Sequence, residues 1–528
     1  MAPDQTGKPK NRSKRNRETR VESILPKEGL VIGVIGAGAM GRGIAQVAAT
    51  GGMTVLLTDS RPEAVADAVK SIEKALARLK EKGTLDQGAM DQALARIKPV
   101  QNVEQLSECR LVIEAVIEKL DVKQALLAQL EGIVSDDCII ASNTSSLSIT
   151  TIASKCSHPE RVAGFHFFNP VPAMKLVEVI DGLQTRSVVG DALMDVGRRM
   201  GREPVRIKDA PGFLVNQVGR AYTLEAAHLV SEGIATFEDV DAVMHETAGF
   251  RMGPFVLLDL VGLDVNHPAT EAIYTQFYHE PRYRPSVLMQ GRLDAGMLGR
   301  KTKRGFYDYS EQKDAAPAAE VKGASSSPYP VWVSRAEPAQ AEKLIALLKT
   351  LDVKIEDGAK PSASALCLVT PLGDDATHCA VEQGLDAKRV VAVDTLLDLG
   401  KRRTIMSTPV TEASYVDAAR ALFSSDGVAV TVTRDSPGFI AQRIIAMIAN
   451  IGASIAQNRT ASAADIDKAV KLGLGYPHGP LGFGDALGAG TLHKILNNMQ
   501  RRYGDPRYRS NLWLTRRAEL GVSLTLQD

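Results

Sequence analysis

The chain has 528 residues, too many for one hydrophobic core and enough for three or four domains. Apolar residues make up 44% and charged residues 24%, a globular balance in which no run reads as long enough to cross a bilayer. Aromatics at 5% speak against an aromatic-rich binder of single-stranded nucleic acid.

The net charge of +1 is unevenly spread. Residues 1–20 hold seven Lys/Arg against Asp4 and Glu18, so they carry +5 and the remainder carries −4. Almost nothing in this stretch can be buried, which predicts a disordered basic tail over residues 1–28. It has no hydrophobic segment and is not a secretory signal. From Leu30 the pattern changes. Residues 30–35 (LVIGVI) read as a strand buried on both faces, and residues 54–58 as a second strand. Residues 62–82 have helical spacing with a proline at the start. Further apolar runs at 111–116, 138–141, 162–168 and 176–180 alternate with helical stretches, which predicts a doubly wound parallel sheet over 29–208. Residues 209–310 read as all helix, and 311–330, rich in Ala, Ser and Pro, as a linker. Strand-like runs return at 331–333, 365–369, 390–393 and 428–432.

The first strand leads into Gly36-Ala37-Gly38-Ala39-Met40-Gly41, a GxGxxG pattern. The pattern alone is weak, but between a buried strand and a helix it has a mechanism. The glycines allow a tight turn and close approach of a pyrophosphate, which meets the free N–H groups of the helix N-terminus. Asp59 ends the second strand, where a carboxylate accepts hydrogen bonds from a ribose diol and repels a 2′-phosphate. A Rossmann-type domain binding NAD rather than NADP follows, with Arg61 as a nearby complication.

The chain also repeats itself. Asp209-Ala210-Pro211-Gly212-Phe213 returns as Asp435-Ser436-Pro437-Gly438-Phe439, and at the same offset Gly253-Pro254 meets Gly479-Pro480 and Asp259 meets Asp485. This predicts two copies of a sheet-plus-helices unit, the second spanning 331–434 (sheet) and 435–528 (helices). The second copy has no GxGxxG and is expected to be degenerate, binding no cofactor.

Several motifs follow in order: Glu114-Ala115-Val116-Ile117-Glu118, Ser142-Asn143-Thr144-Ser145-Ser146, His166-Phe167-Phe168-Asn169-Pro170-Val171-Pro172, the Asp209 motif and Gly305-Phe306-Tyr307-Asp308-Tyr309. Together they resemble the L-3-hydroxyacyl-CoA dehydrogenase family over roughly residues 30–310. The doubled layout resembles its long bacterial forms, which act on 3-hydroxybutyryl- or 3-hydroxyadipyl-CoA in phenylacetate breakdown. The resemblance implies NAD-dependent oxidation of an (S)-3-hydroxyacyl-CoA, with His166 as general base and Glu178 orienting it. Imidazole suits such a step because it can take a hydroxyl proton near neutral pH. Ser145 would lie between nicotinamide and substrate, and Asn216 would bond the reacting oxygen. Gly36, Gly38, Met40, Gly41, Asp59, Glu118, Lys123, Ser145 and Asn169 would contact the cofactor. Lys82, with Ser145, would contact the substrate. The family's CoA-contacting serine is Ala75 here, which leaves room for a relative acting on a free hydroxy or sugar acid; a scaffold without catalysis would more naturally have lost His166.

In the second copy Gln442 answers Asn216, and no HFFNP precedes Asp435, so a second catalytic site is not expected. Single-copy relatives resemble dimers joined through their helical domains. Hence the second helical unit is expected to serve as a built-in partner in a pseudo-dimer, with further homo-oligomerisation open. No metal site, nucleic-acid partner or membrane partner is expected. Five cysteines without a CxxC fit a reducing cytoplasm.

Overall fold

The computed structural model describes residues 24–310 and 327–528. Residues 1–23 of the basic tail and 311–326 of the linker lie outside the described residues. Leu25 is buried in the core of the first sheet, so packing begins before the expected residue 29.

Eight strands form the first sheet: β1 (Val31–Ile35), β2 (Thr54–Thr58), β3 (Ile97–Pro99), β4 (Leu111–Glu114), β5 (Ile139–Ser142), β6 (Val162–Phe167), β7 (Leu176–Asp181) and β8 (Glu203–Lys208). Their order is β3-β2-β1-β4-β5-β6-β7-β8. All neighbours are parallel except β6 and β7. The order reverses between β1 and β4, and a sheet of this kind opens its ligand crevice there, at the carboxyl ends of the strands. Helices α1 (Ala39–Thr50), α2 (Pro62–Glu81) and α3 (Leu120–Glu131) follow β1, β2 and β4. Proline occupies the start of α2, and Val65, Ala68, Ile72 and Leu76 form its buried stripe.

Beyond β8 come α4 (Val215–Ser231), α5 (Pro254–Val261) and α6 (Leu263–Gln276). The second sheet comprises β9 (Val331–Val333), β10 (Leu366–Val369), β11 (Val390–Val393), β12 (Arg402–Ser407) and β13 (Ala429–Thr433), in the order β13-β12-β11-β10-β9. Only β11 and β12 are antiparallel. Strand for strand, this repeats the order and direction of β8-β7-β6-β5-β4. Among the described residues nothing corresponds to β1–β3, the half that carries the glycine turn.

Helix α7 (Ile440–Gln457) follows β13 and packs against α4. It corrects one expectation, because by length and composition it could cross a membrane. Its apolar window is 89% buried inside the protein, as befits a core helix. Between α4 and α7, Arg443 donates to Glu225 (2.8 Å) and Glu232 (2.8 Å), and the Tyr508 hydroxyl donates to Glu225 (2.6 Å). Helix α8 (Ala463–Leu474) reaches back to the first sheet, with Gly473 set against Leu176 and Val215.

Candidate active site

At the end of β1, Gly36 adopts φ +100°, and a Cβ there would lie 2.5 Å from the Ala115 carbonyl oxygen. A Cβ on Gly41 would lie 1.7 Å from the Gly36 oxygen, whereas above Gly38 there is nothing within 4 Å. The turn is packed tight beneath and open above. Gly38 caps α1 and offers no side chain to its first N–H groups, which leaves them for an anion. This geometry fits a dinucleotide pyrophosphate. Asp59, at the tip of β2, accepts from the Ala37 N–H (2.7 Å) and the Arg61 N–H (3.0 Å). Burial works against its charge, but these two N–H groups and the Arg61 guanidinium outweigh it and hold the carboxyl below its usual range.

His166 on β6 and Glu178 on β7 face each other across the antiparallel pair, one register step from Phe165 and Val179. The His166 Nδ1 lies 2.7 Å from Glu178 Oε2, and both side chains are buried. The other carboxylate oxygen accepts from the Val215 N–H (3.0 Å) and the Leu214 N–H (3.3 Å). The N-terminus of α4 therefore clamps the carboxylate, which clamps the imidazole.

His166 opens onto a cavity of about 790 Å³ that is also lined by Met40, Glu118, Ser145, Asn169 and Asn216. Asn216, in the first turn of α4, donates from Nδ2 to the Ser145 carbonyl (3.4 Å). Leu260, Val261 and Val265 form an apolar wall. The glycine turn, the histidine and the asparagine thus meet at one crevice.

Two expected cofactor contacts, Lys123 and Glu118, are bonded within the protein. Lys123 is 1% exposed and donates to both oxygens of Glu114 (2.8 and 2.9 Å), so it sits beneath the cavity and not in its wall. Buried Glu114 requires that countercharge. Glu118 lines the cavity, but its Oε1 accepts from the Thr144 hydroxyl (2.7 Å) and the N–H groups of Ser145 (2.9 Å) and Ser146 (3.1 Å). It therefore fixes the loop that presents Ser145.

A second cavity of about 470 Å³ lies between α1, α2 and the segment 169–172, which joins it to the first through Asn169 and Pro170. Ala75 lines it, as do Arg42, Lys74 and Arg78. Lys82 is exposed at the C-terminal cap of α2 and does not line it. The three cations were missed in the sequence because basic residues on an exposed helix face look like any solvated surface.

The second sheet holds different groups at the corresponding points. Register places Ala392 opposite Met406 as Gly164 faces Ile180. Two residues further along, Asp394 donates its N–H to the Thr404 carbonyl (3.0 Å), at the place of His166 and Glu178. Gln442, at the place of Asn216, donates to Asp394 (2.9 Å) and Pro371 (3.1 Å) and accepts from the Gly373 N–H (2.7 Å).

A glycine turn for a dinucleotide beside a carboxylate-held histidine defines a dehydrogenase of the NAD-binding class. The family model described as "3-hydroxyacyl-CoA dehydrogenase, NAD binding domain" matches residues 31–210, and that of the C-terminal domain matches 212–309 and again 438–523. The chain belongs to the 3-hydroxyacyl-CoA dehydrogenase family. It is 38% identical to the 3-hydroxyadipyl-CoA dehydrogenase of Escherichia coli K12 over 93% of this chain and 97% of that one. A probable 3-hydroxybutyryl-CoA dehydrogenase of Bacillus subtilis is 41% identical, covering 53% of this chain and 97% of its own. The crystal structure of 3-hydroxybutyryl-CoA dehydrogenase from E. coli K12 superposes with a TM-score of 0.83 at 36% identity, covering 94% of this chain and 99% of that one.

Proposed function

We propose that the chain oxidises (S)-3-hydroxyacyl-CoA to 3-oxoacyl-CoA at one site, in its first half. The observation that carries this reading is the His166–Glu178 pair, clamped by the N-terminus of α4 at the mouth of the glycine-turn crevice. NAD, when bound, takes the hydride from the substrate's C3. His166, with Nδ1 occupied by Glu178, keeps Nε2 for the hydroxyl proton. Glu178 holds the tautomer and stabilises the imidazolium that results. The Asn216 amide steadies the reacting oxygen, and Ser145 separates substrate from cofactor. Arg42, Lys74 and Arg78 offer positive charge to the CoA phosphates, which answers the loss of a serine at Ala75.

Residues 29–208 act as the cofactor domain and 209–310 as the substrate domain. Residues 331–434 and 435–528 are a degenerate second copy. The strand order shared by the two sheets and the double match of the helical family model support this division. In this reading the second helical unit is a built-in partner for α4, and a fragment ending at Ser310 aggregates or self-associates; a monomer with full activity would remove that role. The five free cysteines suit a reducing, cytoplasmic setting. Assaying the purified protein against a panel of 3-hydroxyacyl-CoAs, with NADH absorbance as readout, tests the whole reading. Formation of NADH from a free hydroxy acid and from none of the CoA esters would contradict it.

A further inference from the structure

We infer that Arg220 is the residue that sets specificity at the far end of the substrate's acyl chain, where its guanidinium recognises a carboxylate. The inference rests on the oxidation proposed above and adds the residue that chooses among its substrates.

Seven arginines are buried among the described residues: Arg161, Arg220, Arg282, Arg403, Arg443, Arg507 and Arg517. Six of them face a carboxylate within the protein, among them Arg443 on Glu225, Arg403 on Asp426 and Arg282 on Glu280. Arg220 faces none. Its Nε donates to the Asn216 carbonyl (3.2 Å), and its Nη1 donates to the carbonyl (3.0 Å) and side chain (3.1 Å) of Asn266 and to the Thr270 hydroxyl (2.6 Å). All four acceptors are neutral. They fix the guanidinium plane without cancelling its charge, and burial pushes its pKa down to about 10. A buried charge left uncompensated is costly, which is why such groups are ordinarily paired.

The remaining nitrogen says where a partner would come from. Nη2 has no hydrogen-bond partner among the described residues, and it is not among the atoms sealed from solvent without one. Arg220 lines the cavity that holds His166 and Asn216, so these free N–H groups face the place where substrate reacts. A guanidinium with its fork open to a cleft is built for a carboxylate. The spacing sets the chain length. Arg220 lies one helical turn, about 5.4 Å, beyond Asn216, so the carboxylate belongs a few carbons past the carbon that bears the hydroxyl. Leu260, Val261 and Val265 form the apolar wall between for the methylenes.

The test compares kcat/KM for 3-hydroxyadipyl-CoA and 3-hydroxyhexanoyl-CoA, which have equal chain length and differ only in the terminal carboxylate. The wild type is expected to favour the first by about 10²-fold or more, because a site built to bind a polar group rejects the analogue that lacks it. Arg220→Met should collapse that ratio toward one. Arg220→Lys, which keeps the charge and loses the fork, should give an intermediate ratio and covers the case in which the methionine variant fails to fold. A wild-type ratio near or below one would overturn the inference while leaving the oxidation reading intact. An Arg220→Met ratio equal to wild type would overturn it too. Failure to oxidise either ester would overturn both.

Discussion

The carboxyl ends of the two sheets make a comparison between nearly equivalent places. In the first sheet the step after the β6–β7 register pair holds His166 and Glu178, an imidazole open to a cavity with a carboxylate behind it. In the second, Asp394 stands at that point and is tied to Gln442. Burial raises the pKa of Asp394, and Gln442 spends its own amide on Pro371 and Gly373. The Gln442 amide and Asp394 Oδ1 are thus taken up by neighbours. In the first sheet His166, Asn216 and Arg220 all line the cavity, and Nη2 of Arg220 has no partner among the described residues. Like-ordered strands thus border an open cavity in one sheet and a bonded Asp394–Gln442 pair in the other.

The largest effect expected from this contrast is on His166. His166→Gln should lower kcat by roughly 10²–10⁴-fold, the usual share of general base catalysis, while the protein stays folded and binds NAD. Stopped-flow NADH formation measures it, and a kcat near wild type would mean that His166 is not what sets the first sheet apart from the second.

The interface between the halves should show itself in stability. Arg443→Met leaves Glu225 buried without its principal countercharge and should cost about 3–5 kcal/mol in urea unfolding. A loss below 1 kcal/mol would show that the halves do not depend on this contact. The same group gives a pH signature. Burial opposes the charge of Glu225, but Arg443 and Arg507 outweigh it and hold the pKa at about 2, against an ordinary 4.5. A carboxyl lowered in the folded state stabilises the protein above its unfolded pKa. That contribution should fade as pH falls from about 4.5 toward 2, and should be smaller in the acid limb of the Arg443→Met variant, where Arg507 remains.

A smaller effect sharpens the role of the orienting carboxylate. Glu178→Gln keeps a base in place but loses a charge-assisted hydrogen bond, worth about 1.5–3 kcal/mol, or roughly 10–100-fold in kcat. A loss as large as that of His166→Gln would make Glu178 part of the proton transfer itself.

Much of this was legible in the sequence where local rules and burial agree. The GxGxxG turn, the runs that became β1, β4 and β5, and the proline that opens α2 are each set by their own few residues. Strands β3, β8 and β12 were not foreseen. The first is three residues long, the second alternates polar and apolar around Pro204, and the third opens on Arg402-Arg403. At the site, His166 and Glu178 could be named because the HFFNP motif and its setting resemble the family's; their pairing across β6 and β7 came only with the structure. The burial of Lys123 beneath the cavity, the clamp from α4 onto Glu178, and the isolation of Arg220 could not be seen. Each depends on groups from other elements, such as the Val215 N–H, 37 residues from Glu178 in sequence. An arginine one turn after Asn216, alone of its kind in α4, was the one available signal.

The measurement that bears most directly on the contrast between the two sheets is an equilibrium titration with NAD by calorimetry. The account predicts one site per chain, binding NAD more tightly than NADP and weakened about tenfold by Asp59→Ala, the loss of one charged hydrogen-bonding group. Two equivalents of NAD per chain, or an Asp59→Ala variant that binds NAD as tightly as wild type, would contradict it.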